Sequence, residues 1–352
     1  MIDDNWQEDY GKWNFHQGRF PDPKAMIKEL KELGFKVMLW VCPFVSADSD
    51  VYRELEKKGV FMLDETEKPA MVRWWNGVSA LLDLTNPESE KWFKGVLDGL
   101  IKDYGVDGFK LDAGDGRFYK GIKSLKEVNP NTHTELFAKI GLSYPYNEYR
   151  ATWKMGGQPL VQRLHDKSHD WEDLKKLIPH MLLEGIMGYP FSCPDMIGGG
   201  QFTSFLDDAP IDQELVVRST QVHALMPMMQ FSVAPWRILD KRHFIAVLDA
   251  VNLRNKFKET ILRLAKKSST NGEPIVRSME YVYPHKGYVD ITDQFMLGNS
   301  ILVAPYLSKG EGSRKVILPK GTWKSDTGKV FKGGKSITVN VPLIRLPYFI
   351  KE

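Results

Sequence analysis

Acidic side chains follow apolar, strand-like runs at several points of the 352-residue sequence, and tryptophan or basic residues accompany them. Carboxylates can serve as acid, base or nucleophile in glycoside hydrolysis, aromatic rings stack on pyranose faces, and charged donors hold sugar hydroxyls. This combination predicts a carbohydrate site. Its candidate residues are Asp3, Asp4, Trp40, Trp75, Lys110, Asp112, Arg150, Asp166, Asp195 and Trp236.

Each candidate also has a simpler interpretation. Asp112 precedes Ala-Gly and Asp195 lies shortly before a glycine run, so both suit turns, whereas Asp166 could belong to the cap of the helix that follows it. Trp40 and Trp236 could fill a core. The histidines lack the spacing of metal ligands, which predicts structural or solvent-facing roles for His165, His169 and His180.

Short apolar runs alternate with amphipathic helices over roughly the first three quarters of the chain, which favours parallel βαβ units. The pattern predicts helices at 23–33, 87–101, 171–187 (with a kink or break before Pro179), 213–225 and 253–267. It predicts strands at 35–40, 106–112, 147–152, 159–165, 190–196 and 228–233 and an inserted loop over 46–78. About seven strands leave a doubly wound sheet and a (β/α)₈ barrel open. The lack of a G-x-G-x-x-G turn disfavours dinucleotide binding.

The texture changes near residue 268, where short apolar runs alternate with Gly- and Pro-bearing turns. We therefore expect two domains. The first is a catalytic (β/α) barrel over 1–267 that carries the inserted loop. The second, over 268–352, contains the end of the barrel region and a C-terminal β-sandwich domain.

Composition excludes several function classes. Lysine and arginine exceed aspartate and glutamate by 48 − 45 = 3, which predicts no nucleic-acid or anionic-membrane partner. Cys42 and Cys193 cannot supply a four-thiolate metal site. No apolar stretch reaches about 20 residues, so no membrane span is expected.

Five ordered segments resemble glycoside hydrolase family 31, whose members are retaining enzymes that act on α-glycosides. The resemblance spans essentially the whole chain. It covers Arg150, the Asp-Gly-Phe-Lys-Leu-Asp run at 107–112, the Asp-Lys-Ser-His-Asp-Trp run at 166–171, and the segments 188–199 and 293–305. It implies a (β/α)₈ TIM barrel followed by an all-β domain. It also implies Asp112 as nucleophile, Asp166 as acid/base and Arg150 as a substrate-binding residue, with the two carboxyls roughly 5–6 Å apart as in retaining enzymes.

Departures from the common family pattern point to one subgroup. Many family α-glucosidases have Trp-x-Asp-Met-Asn-Glu around the nucleophile and a histidine after the last barrel strand, whereas this chain has Lys110-Leu-Asp112-Ala-Gly and no histidine at 226–232. Both features resemble the α-galactosidase-like subgroup. Asp3 and Asp4 are similar to the paired acids that bind hydroxyls 4 and 6 of galactose in related α-galactosidases. The resemblance therefore implies α-galactosidase activity, with α-glucosidase or α-xylosidase activity as the alternative.

Two rival interpretations remain open. Lys110, placed within a barrel strand, could form a Schiff base as in a class I aldolase. Family members also carry a β-sandwich and a first barrel strand ahead of the Asp-Asp segment. The resemblance thus implies a barrel that lacks its first strand, and either a companion chain, a missing N-terminal segment or an inactive sugar-binding chain. We expect a carbohydrate substrate and neither a metal nor an organic cofactor.

Overall fold

The computed structural model describes residues 1–199 and 211–352. The chain divides into two compact units. The N-terminal unit comprises Met1–Gly156 and Leu160–Gln162, and the C-terminal unit comprises Gly157–Pro159 and Arg163–Glu352. The chain therefore passes from one unit to the other within the segment 156–163.

The N-terminal unit combines parallel strands, helices and short antiparallel sheets. Its strands are β1 (Gln7–Asp9), β2 (Lys12–Phe15), β3 (Met38–Val41), β4 (Phe44–Ser46), β5 (Met71–Trp74), β6 (Gly77–Leu81), β7 (Gly108–Leu111), β8 (Tyr146–Tyr149) and β9 (Val161–Arg163), whose last residue belongs to the other unit. Its helices are α1 (Pro23–Glu32), α2 (Asp50–Lys58), α3 (Pro87–Tyr104) and α4 (Pro130–Gly141), with a 3₁₀ turn at Gly116–Tyr119.

The parallel sheet of this unit has the order β3-β7-β8-β9, and Ile2 adds a parallel bridge to Leu39. Its register places Trp40, Lys110 and Glu148 in one row across three strands. All carboxyl ends of parallel strands meet at one edge of a sheet, where functional groups of barrel proteins collect. Asp112 and Arg150 directly follow β7 and β8, so the sheet brings both to that edge.

Local sequence signals explain where the helices begin and end. The Asn86 side chain accepts a hydrogen bond from the Glu88 backbone N–H, and Pro87 occupies the first position of α3, where its missing N–H costs nothing. Gly105 ends α3 in the left-handed conformation, and its N–H bonds to the Ile101 carbonyl. The predicted helices at 23–33 and 87–101 are therefore confirmed.

The C-terminal unit begins with helices and short strands and continues as an antiparallel domain. Its helices are α5 (Trp171–Ile186), α6 (Gln213–Ala224), α7 (Pro235–Ile238), α8 (Lys241–Asn271) and α9 (Met279–Val282). Its strands are β10 (Ser192–Cys193), β11 (Met196–Ile197), β12 (Gln230–Phe231), β13 (Val276–Arg277), β14 (Phe295–Leu297), β15 (Ile301–Val303), β16 (Gly312–Leu318), β17 (Thr322–Ser325), β18 (Val330–Lys332), β19 (Lys335–Val341) and β20 (Tyr348–Lys351).

Three apolar clusters of described residues hold this unit together, and the smallest joins α6 and α8 to Ile197 and Leu343. Strands β13-β14-β15-β20-β17-β18 form an antiparallel sheet, and β16 pairs separately with β19. Trp323, Phe349 and Val316 are fully buried in the core associated with these strands. A second core joins residues of α5, α6 and α8 to β14 and β15. No helix in the described ranges combines the length and apolarity that a membrane crossing requires.

Three sequence predictions need correction. Residues 46–78 do not form a loop, because they contain α2 and contribute to the antiparallel sheet β4-β6-β5. The predicted break in α5 does not occur, because the helix contains Pro179 and runs on to Ile186, although proline cannot donate to the fourth preceding carbonyl. α8 begins at Lys241 rather than at residue 253. The Asp240 side chain caps this start by accepting a hydrogen bond from the His243 backbone N–H. In the first three turns of α8, exposed positions as well as buried ones carry apolar side chains, among them Ile245 and Leu248, which blurs the helical hydrophobic pattern.

Gly108 tests how closely β7 and β8 pack. A Cβ atom at this position would lie 1.8 Å from the Tyr146 carbonyl oxygen, so Gly108→Ala must push the two strands apart. We expect a loss of about 1–3 kcal/mol in the free energy of unfolding, measured by urea denaturation. Gly95→Ala is the control, because nothing lies within 4 Å of its added methyl in α3. That variant should gain up to about 1 kcal/mol. Equal stability of the two variants would contradict the packing argument.

Candidate active site

Asp112 is held at the end of β7 by two N–H donors. The Trp40 indole Nε1–H donates to its Oδ2 at 2.8 Å, and the Ala113 backbone N–H donates to its Oδ1 at 2.9 Å. Ala113 has φ +60°, a conformation that residues with a side chain seldom adopt. With only 6% of its surface exposed, Asp112 is both fixed in orientation and screened from bulk water.

Arg150 places a positive charge beside Asp112. Its Nε lies 3.8 Å from Asp112 Oδ1 and donates to Asp115 Oδ2 at 3.2 Å. Its guanidinium also lies 5.0 Å from the centre of the Trp75 ring. Trp75 remains 46% exposed, so one part of the ring contacts the arginine while the rest is available for stacking.

Lys110 and Asp3 form an ion pair close to Asp112. Lys110 Nζ lies 2.8 and 3.0 Å from the two carboxylate oxygens of Asp3. The lysine is 4% exposed, whereas the Asp3 side chain is 45% exposed. This pairing favours the ammonium form of Lys110 over the neutral amine that Schiff-base chemistry needs, which argues against the aldolase interpretation.

Asp4 is oriented by side chains from two other segments. Its Oδ1 accepts hydrogen bonds from Gln7 Nε2 at 3.1 Å and the Tyr10 hydroxyl at 3.2 Å, and its Oδ2 accepts from Asn76 Nδ2 at 2.6 Å. Burial, and then the charge of Asp4, raises the pKa of Tyr10 well above its usual range. Tyr10 therefore stays protonated and acts as a donor.

These contacts, together with the hydrogen bond from the Asp4 backbone N–H to Asp3 Oδ1 at 3.0 Å, join seven of the ten predicted residues into one connected group in the N-terminal unit. The group, which we term the Asp112 cluster, consists of Asp3, Asp4, Trp40, Trp75, Lys110, Asp112 and Arg150, together with Tyr10, Asn76 and Asp115. The β5–β6 turn contributes Trp75 and Asn76, so the segment predicted as a loop is part of the site.

Asp166 and Asp195 belong to the C-terminal unit and share one arginine. Arg163 Nη1 lies 2.7 Å from Asp166 Oδ1 and 2.7 Å from Asp195 Oδ1. The Lys167 backbone N–H donates to Asp195 Oδ2 at 2.7 Å. Burial raises the pKa of Asp195, and the positive charge of Arg163 and the Lys167 amide oppose that rise. The Asp166 side chain is 33% exposed, and that of Asp195 is fully buried.

Several titratable groups lie near this aspartate pair, on Lys167, α5 and α6. Lys167 Nζ lies 3.3 Å from His180 Nδ1, and burial lowers the pKa values of both groups. Burial raises the pKa of Glu184 to about 8. Burial lowers the pKa of His223 on α6 to about 4, and its Nε2 lies 3.2 Å from the Asp195 carbonyl oxygen. Within the described ranges, no three His, Cys, Asp or Glu side chains group as metal ligands.

Three residues predicted to bind the sugar are not placed where direct contact with a sugar would be expected. Trp40 is 1% exposed, so its ring offers no free face to a sugar and its described role is to hold Asp112. Asp195 has no exposed surface, and both carboxylate oxygens are occupied, so it acts on Arg163 instead. Trp236 is 72% exposed on α7 and is linked to Asp166 by none of the described contacts. This exposure contradicts the interpretation of Trp236 as a core residue, and no described contact places Trp236 in the site.

Four residues of these clusters were not among the sequence predictions: Tyr10, Asn76, Asp115 and Arg163. Asn76 lies beside Trp75, and Asp115 lies three positions after Asp112, but neither position carries a motif. Arg163 stands within a predicted strand, where an arginine is an unusual residue to bury. That mismatch was the one signal available from the sequence.

Family models match nearly the entire chain. The model described as "Glycosyl hydrolases family 31 TIM-barrel domain" matches residues 1–257, and the "Glycosyl hydrolase family 31 C-terminal domain" model matches residues 272–352. The chain belongs to glycoside hydrolase family 31. It therefore has the TIM-barrel domain of family 31 followed by the family's C-terminal domain, and the resemblance noted from the five ordered segments is confirmed.

Individual members of family 31 show the same relationship. The chain is 35% identical over 357 residues to myogenesis-regulating glycosidase of Mus musculus, covering 97% of this chain and 49% of that protein. It is 26% identical over 385 residues to alpha-glucosidase 2 of Bacillus thermoamyloliquefaciens, covering 100% of this chain and 48% of that protein. The chain thus spans about half the length of these curated relatives.

A solved structure supports the fold of this family 31 chain. The α-xylosidase from a soil metagenome, crystallised with xylose, superimposes with a TM-score of 0.87 at 24% sequence identity. The match covers 99% of this chain and 57% of that one. At this identity the likeness establishes the architecture, and the choice of sugar needs separate evidence.

Glu184 predicts a pH-dependent stability. Its pKa rises from an ordinary 4.5 to about 8, so between these values the folded chain retains a proton that the unfolded chain loses. The stability linked to this proton is fully present below pH 4.5 and is lost as the pH rises through 8. Glu184→Gln stays neutral. The free energy of unfolding of this variant minus that of the wild type should increase by at least about 1 kcal/mol from about pH 5 to about pH 9, as measured by urea denaturation.

The control for this experiment is Glu172→Gln on the same helix. The Glu172 side chain is 72% exposed, so removing its charge changes the net charge equally without affecting a buried group. Its stability difference from wild type should vary little between the two pH values. A Glu184→Gln difference that is equally constant would refute the buried-proton assignment.

Proposed function

We propose that this chain is the catalytic part of a retaining α-glycosidase and that its substrates are α-galactosides. The proposal rests mainly on the Asp112 cluster. In this cluster two N–H donors orient the buried Asp112 carboxylate, and Lys110 forms an ion pair with Asp3. Support comes from membership of family 31 and from the similarity to myogenesis-regulating glycosidase and α-glucosidase 2.

Asp112 is suited to the role of nucleophile. Donors on both oxygens hold the carboxylate in one orientation, and the Arg150 Nε lies 3.8 Å from Oδ1. In the first step a carboxylate oxygen attacks the anomeric carbon, the glycosidic C–O bond breaks, and a covalent glycosyl ester forms. The rigid Trp40 contact keeps the attacking group in one orientation, which reduces the entropic part of the barrier.

Asp166 is assigned the acid/base role. It gives its proton to the departing glycosidic oxygen in the first step. In the second step it takes a proton from water as the water attacks the anomeric carbon and releases Asp112 from the ester. The partly exposed Asp166 side chain can reach solvent water, as that second step demands.

The preference for galactose rests on the polar groups around Asp3. A Lys110–Asp3 ion pair and the oriented Asp4 carboxylate offer one donor and several acceptors to a sugar ring. Charge-assisted hydrogen bonds depend strongly on hydroxyl direction, so such a set can distinguish an axial from an equatorial 4-hydroxyl. The similarity of Asp3 and Asp4 to the paired acids of α-galactosidases favours the axial epimer.

The catalytic assignment is tested with Asp112→Asn and Asp166→Asn. We expect Asp112→Asn to reduce hydrolysis of p-nitrophenyl α-galactoside by about 10³-fold or more, because no nucleophile remains. Asp166→Asn should cost about 10²–10⁴-fold on an alkyl α-galactoside and clearly less on the p-nitrophenyl compound, whose leaving group needs little protonation. Initial rates on both substrates measure these effects. The exposed Asp103→Asn on α3 is the control and should match the wild type.

Three further results would redirect the proposal. Wild-type turnover of the α-glucoside alone would replace α-galactosidase by α-glucosidase activity. Inversion of the anomeric configuration, observed by NMR, would exclude the covalent mechanism. Turnover of neither sugar, together with thermal stabilisation by free galactose, would identify a sugar-binding chain without catalysis.

Asp3→Asn tests the choice of sugar. The substitution keeps the size of the side chain and removes the charge that pairs with Lys110. We expect kcat/KM for the α-galactoside to fall about 10- to 100-fold, which is the value of one charge-assisted hydrogen bond. The value for any α-glucoside turnover should change much less. Asp48→Asn, an exposed acid of the same unit, is the matched control. An equal fall for both sugars would show that Asp3 does not select the epimer.

A further inference from the structure

Arg163 joins a half-exposed carboxylate to a buried one through a single nitrogen. Its Nη1 lies 2.7 Å from Asp166 Oδ1, 2.7 Å from Asp195 Oδ1 and 3.2 Å from the Leu164 carbonyl oxygen. The arginine side chain is 1% exposed. Because charge-assisted hydrogen bonds at this distance are strong, a change in charge at one carboxylate must be felt at the other.

The three side chains differ in how firmly they are held. Asp195 is fully buried, its second oxygen accepts the Lys167 N–H at 2.7 Å, and its own φ is +70°, so its position is built into the backbone. Asp166 is 33% exposed and hydrogen-bonds to the arginine through one oxygen, Oδ1. Asp195 and Arg163 therefore form a rigid support. Asp166, which is the more exposed of the two carboxylates, is the one that can gain or lose a proton.

We propose that Arg163 and Asp195 are positioning residues that fix the Asp166 carboxyl and set the pH at which it releases its proton. The proposal rests on the acid/base role proposed for Asp166. A guanidinium alone would hold Asp166 in its ionised form, in which it could not act as an acid. The buried negative charge of Asp195 offsets that effect, so Asp166 can be protonated while it keeps its hydrogen bond to a rigid partner.

The compensation predicts opposite results for the two partners. Asp195→Asn removes the offsetting charge, leaves Arg163 acting on Asp166 alone, and should lower the titration midpoint of Asp166. Arg163→Gln leaves two carboxylates facing each other without the cation and should raise that midpoint. A purely structural role would give lower stability in both variants without shifts of opposite sign.

Other titratable groups also act on this site. They are His165 and Lys167 beside Asp166, Asp173, His180 and Glu184 on α5, and His223 on α6. Both substitutions leave all six in place. Their contribution is therefore common to the wild type and the variants, and a difference in midpoint reports on Arg163 and Asp195.

The experiment is a ¹³C NMR titration of the full chain labelled at the aspartate carboxyl carbons. The Asp166 resonance is assigned by its disappearance in Asp166→Asn. We expect the midpoint to move down by at least about 0.5 pH unit in Asp195→Asn and up by a similar amount in Arg163→Gln. Glu172→Gln, which removes an exposed charge from α5, should leave it unchanged. Unchanged midpoints, or shifts of the same sign, would overturn the proposal.

Two further measurements keep the result decisive. If Arg163→Gln does not fold by circular dichroism, Arg163→Lys takes its place, since a lysine keeps the positive charge on a shorter side chain whose ammonium lies farther from the two carboxylates. It should raise the midpoint by less than about 0.5 pH unit, and a downward shift would overturn the proposal. The titration needs no turnover, so opposite shifts in a protein without glycosidase activity would refute only the proposed function. Activity that depends on Asp166, without any shift, would refute only this inference.

Discussion

Two buried carboxylates, one in each unit, require partners within the protein, and the contacts around each of them follow from supplying those partners. An ionised carboxylate that loses water is costly unless hydrogen bonds and opposite charge replace the solvent. Asp112 receives N–H groups from Trp40 and Ala113, and Asp195 receives them from Arg163 and Lys167. The positive φ values of Ala113 and Asp195 show that the backbone accepts unfavourable local conformations at these points.

The parallel sheet of the N-terminal unit explains why the Asp112 cluster can form. Successive side chains of a strand alternate between its two faces, so Lys110 and Asp112 project to the same side of β7. The register then places Trp40 of β3 opposite Lys110, and Arg150 follows β8 at the same edge. Asp115 follows β7 closely, whereas the other members come from the chain start and from the β5–β6 turn, which lie far from β7 in sequence and join the cluster through tertiary contacts.

Sequence reasoning succeeded where one local pattern decides the outcome. The helix start at Pro87, the strand before Asp112 and the ordered family segments all carry such patterns, and the architecture followed from them. It was wrong for 46–78, because short antiparallel strands of mixed polarity look like a loop until their partners are known. It also missed Asn76 and Arg163, since a hydrogen bond between segments tens of residues apart leaves no periodic trace. It missed Tyr10 as well, because a contact six residues away fits neither the helical nor the strand period.

The contrast between the two carboxylates of the proposed mechanism follows from their tasks. A nucleophile must be held in one orientation, and Asp112 is accordingly buried with donors on both oxygens and a guanidinium nearby. An acid/base group must alternate between two protonation states. Asp166 is instead partly exposed and shares its arginine with a second carboxylate. A shared cation stabilises the ionised form less than a dedicated one, so proton transfer in either direction requires a smaller change in free energy.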